Sequence, residues 1–352
     1  MATIRWSRVI CKEPGNYTAW PTIAKRDGEL LIVFSGDREE HVCPYGKTEL
    51  IRSDDDGETW SAPQIINSTP LDDRDPGLLA LRSGTLVVSW FTGQLWNRAV
   101  EFRRRFPDLW TDFQCDSWHR SMAKISAETR DRWRGAWTRR SLDGGDSWEP
   151  AVPCPASAPH GPIQTRDGRL VYVGVGEADA PRPAVLCVES TDEGASWRTI
   201  GTVVAGIPFA EPHVAELPDG ELVCALRSEM EDAPCVHVCR SDDGGRTWST
   251  PVQTAMDGYQ QPPHLIVLAD GRLLCTYGRR SLPHGQRACI SPDGGDTWPM
   301  EREAVLRDDG PSIDLGYPAT AELSPGELLT VYYQQERLGD KVCIQATRWS
   351  LA

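Results

Sequence analysis

No stretch of this 352-residue chain approaches the run of about eighteen apolar residues that a membrane-spanning helix requires. Its opening residues, MATIRWSRVICKEPG, lack the basic start, apolar core and small-residue cleavage site of a secretory signal. A soluble, cytoplasmic protein is therefore expected. Positive charge is scarce: 37 Lys and Arg face 51 Asp and Glu, a formal net charge of −14. That balance excludes nucleic acid and an anionic membrane as main partners, because both require clustered cations. A small anionic ligand stays open, since a few arginines in a cleft act within a Debye length of about 10 Å. A helical period is missing over nearly the whole chain. A disulfide framework is missing too: the 11 cysteines are odd in number. Cys187, Cys224, Cys239, Cys275, Cys289 and Cys343 sit singly in apolar strand patterns, as small core residues do in a reducing compartment.

What is present is repetition. The phrase Ser-x-Asp-x-Gly-x-Thr/Ser-Trp occurs at Ser53–Trp60, Ser141–Trp148, Ser190–Trp197, Ser241–Trp248 and Ser291–Trp298. The last four copies recur at about fifty residues, the length of one propeller blade. Asp with Gly makes a tight turn in which the carboxylate accepts backbone N–H groups, Thr or Ser re-enters a strand, and Trp packs between blades. These aspartates are structural.

A second phrase, a Gly-containing turn followed by an apolar run, falls at Asp27-Gly28, Ser83-Gly84, Asp167-Gly168, Asp219-Gly220, Asp270-Gly271 and Pro325-Gly326. The runs, such as LLIVF, TLVVSWF and ELVCALR, suit strands buried on both faces. The pattern predicts an all-β, six-bladed propeller forming one domain over residues 1–352. Five blades end in the Asp phrase and the sixth stops one strand short, so Thr3–Val9 is expected to close the ring and remove its free edges. The second blade carries extra residues from about 96 to 137, rich in Trp and Arg. This insertion is expected to be a lid, a homo-oligomer contact, or a solvated helical excursion with a small apolar face.

Loops leading into the innermost strands form the mouth of a propeller. With each hairpin turn as a ruler, eight residues back lie Ala19, Asp75, Pro159, Glu211, Pro262 and Tyr317. Two residues on, along the same strand face, lie Pro21, Gly77, Gly161, His213, His264 and Ala319. Asp75, Glu211, Tyr317, His213 and His264 are thus expected to face one cavity, with His160 at the same mouth. Arg38, Arg227, Arg279 and Arg280 leave the second strands there, and Arg74 lies within Asp72-Asp73-Arg74-Asp75. Guanidinium forks bind carboxylates bidentately, which implies an acidic sugar. As the bland alternative, each arginine pairs with a neighbouring carboxylate, Arg74 most readily.

On these motifs the chain resembles the sialidase superfamily, whose six-bladed propellers carry the same Asp-box, or BNR, repeats. The resemblance implies Tyr317 as nucleophile, Glu211 as its activating base, and Arg227 as one of three arginines that clamp a substrate carboxylate. Arg38 resembles the arginine after the first hairpin, and Arg279, Arg280 or Arg287 would supply the third clamp. Two departures stand out. Ala19-Trp20-Pro21 replaces the family's Arg-Ile-Pro, and the acid/base aspartate has no clear counterpart near Tyr45, where Glu39, Glu40 and His41 lie close by.

The resulting expectation is a glycoside hydrolase for an anionic or related polar glycan, with Asp75 or His41 as the acid. The remaining mouth residues, Arg38, His41, Arg74, His160, His213, Arg227, His264, Arg279 and Arg280, would bind substrate. No cofactor is expected. One alternative is a metal-assisted polysaccharide lyase or hydrolase with a divalent ion at His213 and His264, joined by His160, Gln260 or Glu211. Another is a non-catalytic glycan-binding propeller.

Overall fold

The computed structural model describes residues 2–93, 110–176, 184–206, 208–258 and 261–351. Six antiparallel four-stranded sheets follow one another around a ring. Blade 1 opens with the inner strand Tyr17–Arg26, blade 2 with Asp72–Ala80 and blade 3 with Ile163–Gln164. Blade 4 opens with Phe209–Glu216, blade 5 with His264–Val267 and blade 6 with Gly316–Ser324. The second strand of each blade is apolar and enclosed; Leu30 to Phe34, for instance, are all 0 % exposed. The ring closes as the sequence predicts. Ala2–Cys11 pairs antiparallel with Cys343–Leu351, from Ala2 opposite Leu351 to Cys11 opposite Ile344, so Cys343–Leu351 is paired on both sides and the last blade has its fourth strand.

The Asp phrases form the outer turns, by one scheme in all five copies. At the first, Ser53 Oγ donates to Asp55 Oδ1 at 2.8 Å, and Thr59 N and Oγ1 donate to the same carboxylate at 2.8 and 2.6 Å. Gly57, at φ +85°, takes the left-handed position and donates its N–H to Ser53 Oγ at 2.9 Å. Hydrogen bonding to the charged form holds the Asp55 carboxyl down to about 2, as expected for a saturated carboxylate.

The described part of the insertion is helical and packed. Helix α1 (Asp112–Met122) starts with a capping box: Thr111 Oγ1 accepts from Gln114 N, and Gln114 Oε1 accepts from Thr111 N. Its buried face, Cys115, Trp118 and Met122, has helical spacing and covers Val42 and Cys43 of the blade 1 loop. Helix α2 (Ala127–Trp133) follows. Residues 96–109 of the insertion lie outside the described residues, as does Gln260.

Candidate functional site

The inner strands share one irregularity. Trp20, Asp75, His160, Glu211 and Tyr317 all have positive φ, between 41° and 72°, a strained conformation for residues with side chains. Four of them precede proline, at Pro21, Pro76, Pro212 and Pro318. Proline cannot donate to the ladder, and at these places the strand pairing slips. In blades 1 and 3 the positive-φ residue is Trp20 and His160, one position beyond the Ala19 and Pro159 that the turn ruler selects, and the described residues of blade 5 have none at this place.

Two of the five, Glu211 and Tyr317, meet in one contact set with Arg227. The Tyr317 hydroxyl donates to Glu211 Oε1 at 2.7 Å. Arg227 pairs with Glu211 Oε2 and also donates to the Tyr317 oxygen at 3.3 Å, while its Nε lies 2.6 Å from Glu229. Burial, reinforced by the Glu211 and Asp75 charges, raises the Tyr317 phenol well above its ordinary value. It is therefore a neutral donor at rest. Asp75 is 5 % exposed. Burial raises its carboxyl to about 7, with Glu211 adding to the rise and Arg74 opposing it. Its Oδ1 accepts no hydrogen bond and lies 4.0 Å from Arg74 Nε.

The arginines stand differently from one another. Arg38 is 0 % exposed and grips Asp72 with both terminal nitrogens. Its other donors go to Ser35 Oγ, to the His41 carbonyl and, from Nε, to the Glu40 carbonyl. No N–H of Arg38 is left over, so the substrate-binding place expected for it is corrected to that of an internal brace. Arg74 donates to the His41 carbonyl at 2.8 Å and lies 3.5 Å from Asp72. Both guanidiniums lie over the Trp20 indole, 4.8 and 4.3 Å from its ring centre. Arg279 turns to Asp257 at 3.1 Å. Arg280 donates to the Ile313 carbonyl, and its charge is felt by His41, Asp314 and Tyr333. Arg287 is buried on the third strand of blade 5 (Gly285–Ser291), bonded to the Gln286, Arg307 and Pro283 carbonyls.

His41 belongs to a group that sequence reasoning missed. Its Nδ1 lies 3.1 Å from Asp314 Oδ1 and 2.7 Å from the Tyr17 hydroxyl, which itself donates to Asp314 at 2.9 Å. The ring stands edge-on to Trp20 at 5.2 Å. Asp314 sits in an inter-blade loop outside both repeated phrases, so no periodic signal marks it. Trp20 carries a usable signal, the residue-Pro pair it shares with Asp75, Glu211 and Tyr317.

The histidines expected to line a cavity are buried beneath the mouth instead, at 2 % exposure for His160, 5 % for His213 and 6 % for His264. They staple neighbouring blades. The Leu265 amide donates to His213 Nδ1 at 3.0 Å and the Thr320 amide donates to His264 Nδ1 at 3.3 Å. Burial lowers His213 to about 3 and the other two well below their ordinary value. A neutral imidazole that accepts at Nδ1 carries its proton on Nε2, which leaves no lone pair for a metal. The divalent ion considered at His213 and His264 does not fit. Among the described residues no group of three or more His, Cys, Asp or Glu is arranged to hold a metal ion.

Residues 118–329 match the family model described as a BNR repeat-like domain. The chain belongs to this family. Its propeller is similar to that of a protein of unknown function from Dyadobacter fermentans, with a TM-score of 0.80 at 25 % identity over 100 % of this chain and 99 % of that one. The Hadza microbial sialidase Hz136 aligns with a TM-score of 0.68 at 19 % identity, over 94 % of this BNR-repeat chain and 66 % of its own length. Trypanosoma rangeli sialidase aligns with a TM-score of 0.65 at 16 % identity, over 95 % of this chain and 55 % of its own. One structure of that enzyme holds sialic acid. The six-bladed fold is that of these sialidases, and this chain spans 66 % and 55 % of their lengths.

Proposed function

We propose that this BNR-repeat protein is a glycoside hydrolase of the sialidase type, acting on an acidic or related polar sugar. The observation that carries the proposal is the Tyr317 hydroxyl held 2.7 Å from Glu211 with Arg227 against both. As the Tyr317 oxygen attacks the anomeric carbon, Glu211 takes the phenolic proton and Arg227 stabilises the charge developing on oxygen. The glycosidic bond breaks and the leaving oxygen needs a proton. Asp75, with its carboxyl near 7, is matched to give that proton and to take one from the water that later releases the sugar. A tyrosine suits an anomeric centre that bears a carboxylate, because a carboxylate nucleophile would be repelled. Arg74, Arg227 and Arg280 are the cations proposed to meet that group.

The 11 cysteines are free, buried thiols, which supports a reducing, cytoplasmic setting. The test is a panel of chromogenic sialosides, uronosides and neutral glycosides, run on the wild type, Tyr317→Phe and Glu211→Gln. Turnover of one class by the wild type, lost in both variants, is the expected result. Near-normal rates in both variants would end the assignment.

A further inference from the structure

The blade 1 loop after Arg38 and helix α1 of the blade 2 insertion form a body of their own. Val42 and Cys43 of the loop pack with Trp110, Cys115, Trp118 and Met122 in one apolar cluster that contains no residue of any blade strand. Side-chain hydrogen bonds stitch the two pieces together. Trp118 Nε1 donates to Glu39 at 2.6 Å, Gln114 Nε2 to Glu40 at 3.3 Å, and the Tyr45 hydroxyl to Ser121 at 2.9 Å. A piece with its own small core opens and closes as one cooperative unit.

Its ties to the ring are of two kinds. At the root, helix α2 meets blade 2, where Trp137 Nε1 donates to the Trp133 carbonyl at 3.0 Å and the two rings lie 5.2 Å apart. On the far side the ties are polar. Lys341 of blade 6 pairs with Glu40, and His41 meets Asp314 and Tyr17. The Lys341 and Glu40 side chains are 36 % and 23 % exposed, and an ion pair so placed holds weakly. A cavity of about 430 Å³ runs between the body and the ring, with Glu39, Tyr45 and Met122 on one wall and Asn16, Thr69 and Leu71 on the other. This seam lacks the close packing that fixes one element on another.

The body lies over one side of the reaction centre. The His41 ring stands against the Trp20 indole, and the His41 carbonyl accepts from both Arg38 and Arg74. Burial follows that side. The Arg74 and Asp75 side chains are 5 % and 6 % exposed, whereas Arg227 and Glu211, in blade 4 across the ring, keep 15 % and 19 %.

We infer that residues 39–45 and helix α1 form a lid on the Tyr317 site, latched by Lys341–Glu40 and His41–Asp314 and rooted at Trp133–Trp137. What it admits rests on the glycosidase reading of that site. Opening parts the two polar latches and uncovers Trp20 and Asp75. Closing returns His41 to Asp314 and shields from bulk water the charge that develops at Tyr317.

The test loosens the latch at Lys341, which takes no part in the proposed chemistry. Wild type, Lys341→Ala and Lys341→Glu are compared by hydrogen exchange with mass spectrometry and by hydroxyl-radical oxidation of Trp20. In the wild type, peptides covering 39–45 and 112–122 should exchange with one common opening constant, faster than the blade strands. Lys341→Ala should raise that constant about threefold, as loss of an exposed ion pair does. Lys341→Glu, which sets two carboxylates against each other, should raise it further. Trp20 oxidation should rise in step while exchange in the blade strands stays unchanged. Unrelated rates in the loop and helix α1, unchanged exchange in Lys341→Glu, or flat Trp20 oxidation while the helix exchanges faster would each overturn the inference. These readouts need no substrate, so a rigid lid and a failed glycosidase assignment give different results.

Discussion

Tyr317→Phe removes one oxygen from the centre of the proposed site, and the structure sets the size of both effects. The lost contacts are the hydrogen bond to Glu211 at 2.7 Å and the one from Arg227 at 3.3 Å. Glu211 keeps its ion pair with Arg227, so no charge is left stranded, and the ring stays among Trp20 and Tyr333 at 6.3 and 5.7 Å. A hydrogen bond to a charged group contributes about 1.5–3 kcal/mol, part of which is offset because Phe buries no hydroxyl. The variant should therefore unfold only a few degrees earlier by calorimetry. Turnover should behave otherwise. Removing a nucleophile from a group that acts as a unit costs on the order of 10⁴- to 10⁶-fold in kcat, measured on whichever chromogenic glycoside the wild type cleaves best. A folded Tyr317→Phe protein with kcat within tenfold of wild type would refute the reasoning.

Further outcomes follow from particular neighbours. With Asp75 as the acid, kcat should fall as pH rises through about 7, and Asp75→Asn should lose that limb. The same carboxyl, raised from 3.8 to about 7, holds a proton when folded that the unfolded chain has lost. Its contribution to stability therefore declines as pH rises through that window, and Asp75→Asn should unfold later than wild type at pH 8 in a thermal melt. Asp72→Asn strips the carboxylate from Arg38, both 0 % exposed, and should cost about 3–5 kcal/mol in urea unfolding at neutral pH. Deleting residues 2–11 bares the edge of Cys343–Leu351 and should give a less stable, self-associating protein by size-exclusion chromatography. A truncated protein as stable as the full chain would contradict ring closure.

The ring of blades was legible because the same local physics is written several times. Each Ser-Asp-Gly-Trp phrase makes its own turn, and each apolar run is enclosed wherever it falls. The mouth was legible only in part, because the hairpin turns used as the ruler differ in length. Asp75, Glu211 and Tyr317 fell on the ruler, whereas Trp20 fell one residue off it, since blade 1 closes with Arg26 opposite Glu29 while blades 2 and 4 pair Ala80 with Leu86 and Glu216 with Leu222, and His160 pairs only through a lone bridge. The direction of a side chain was less legible still. His213 and His264 share a strand face with the mouth residues but each spends its Nδ1 on an amide of the next blade. Arg38 looks like a clamp until Asp72, distant in sequence, is seen to fill its fork. Asp314 and Tyr17 belong to no repeat, and only the closed ring brings them to His41.

The central claim is a covalent step on Tyr317. A fluorinated glycosyl fluoride of the best substrate class slows release of the sugar, and the quenched protein can be digested and weighed by mass spectrometry. The account predicts a gain of one fluoroglycosyl unit on the peptide that contains Tyr317, absent in Glu211→Gln quenched at the same time. An adduct on Asp75, or continued turnover of the natural glycoside with no adduct on Tyr317, would contradict it.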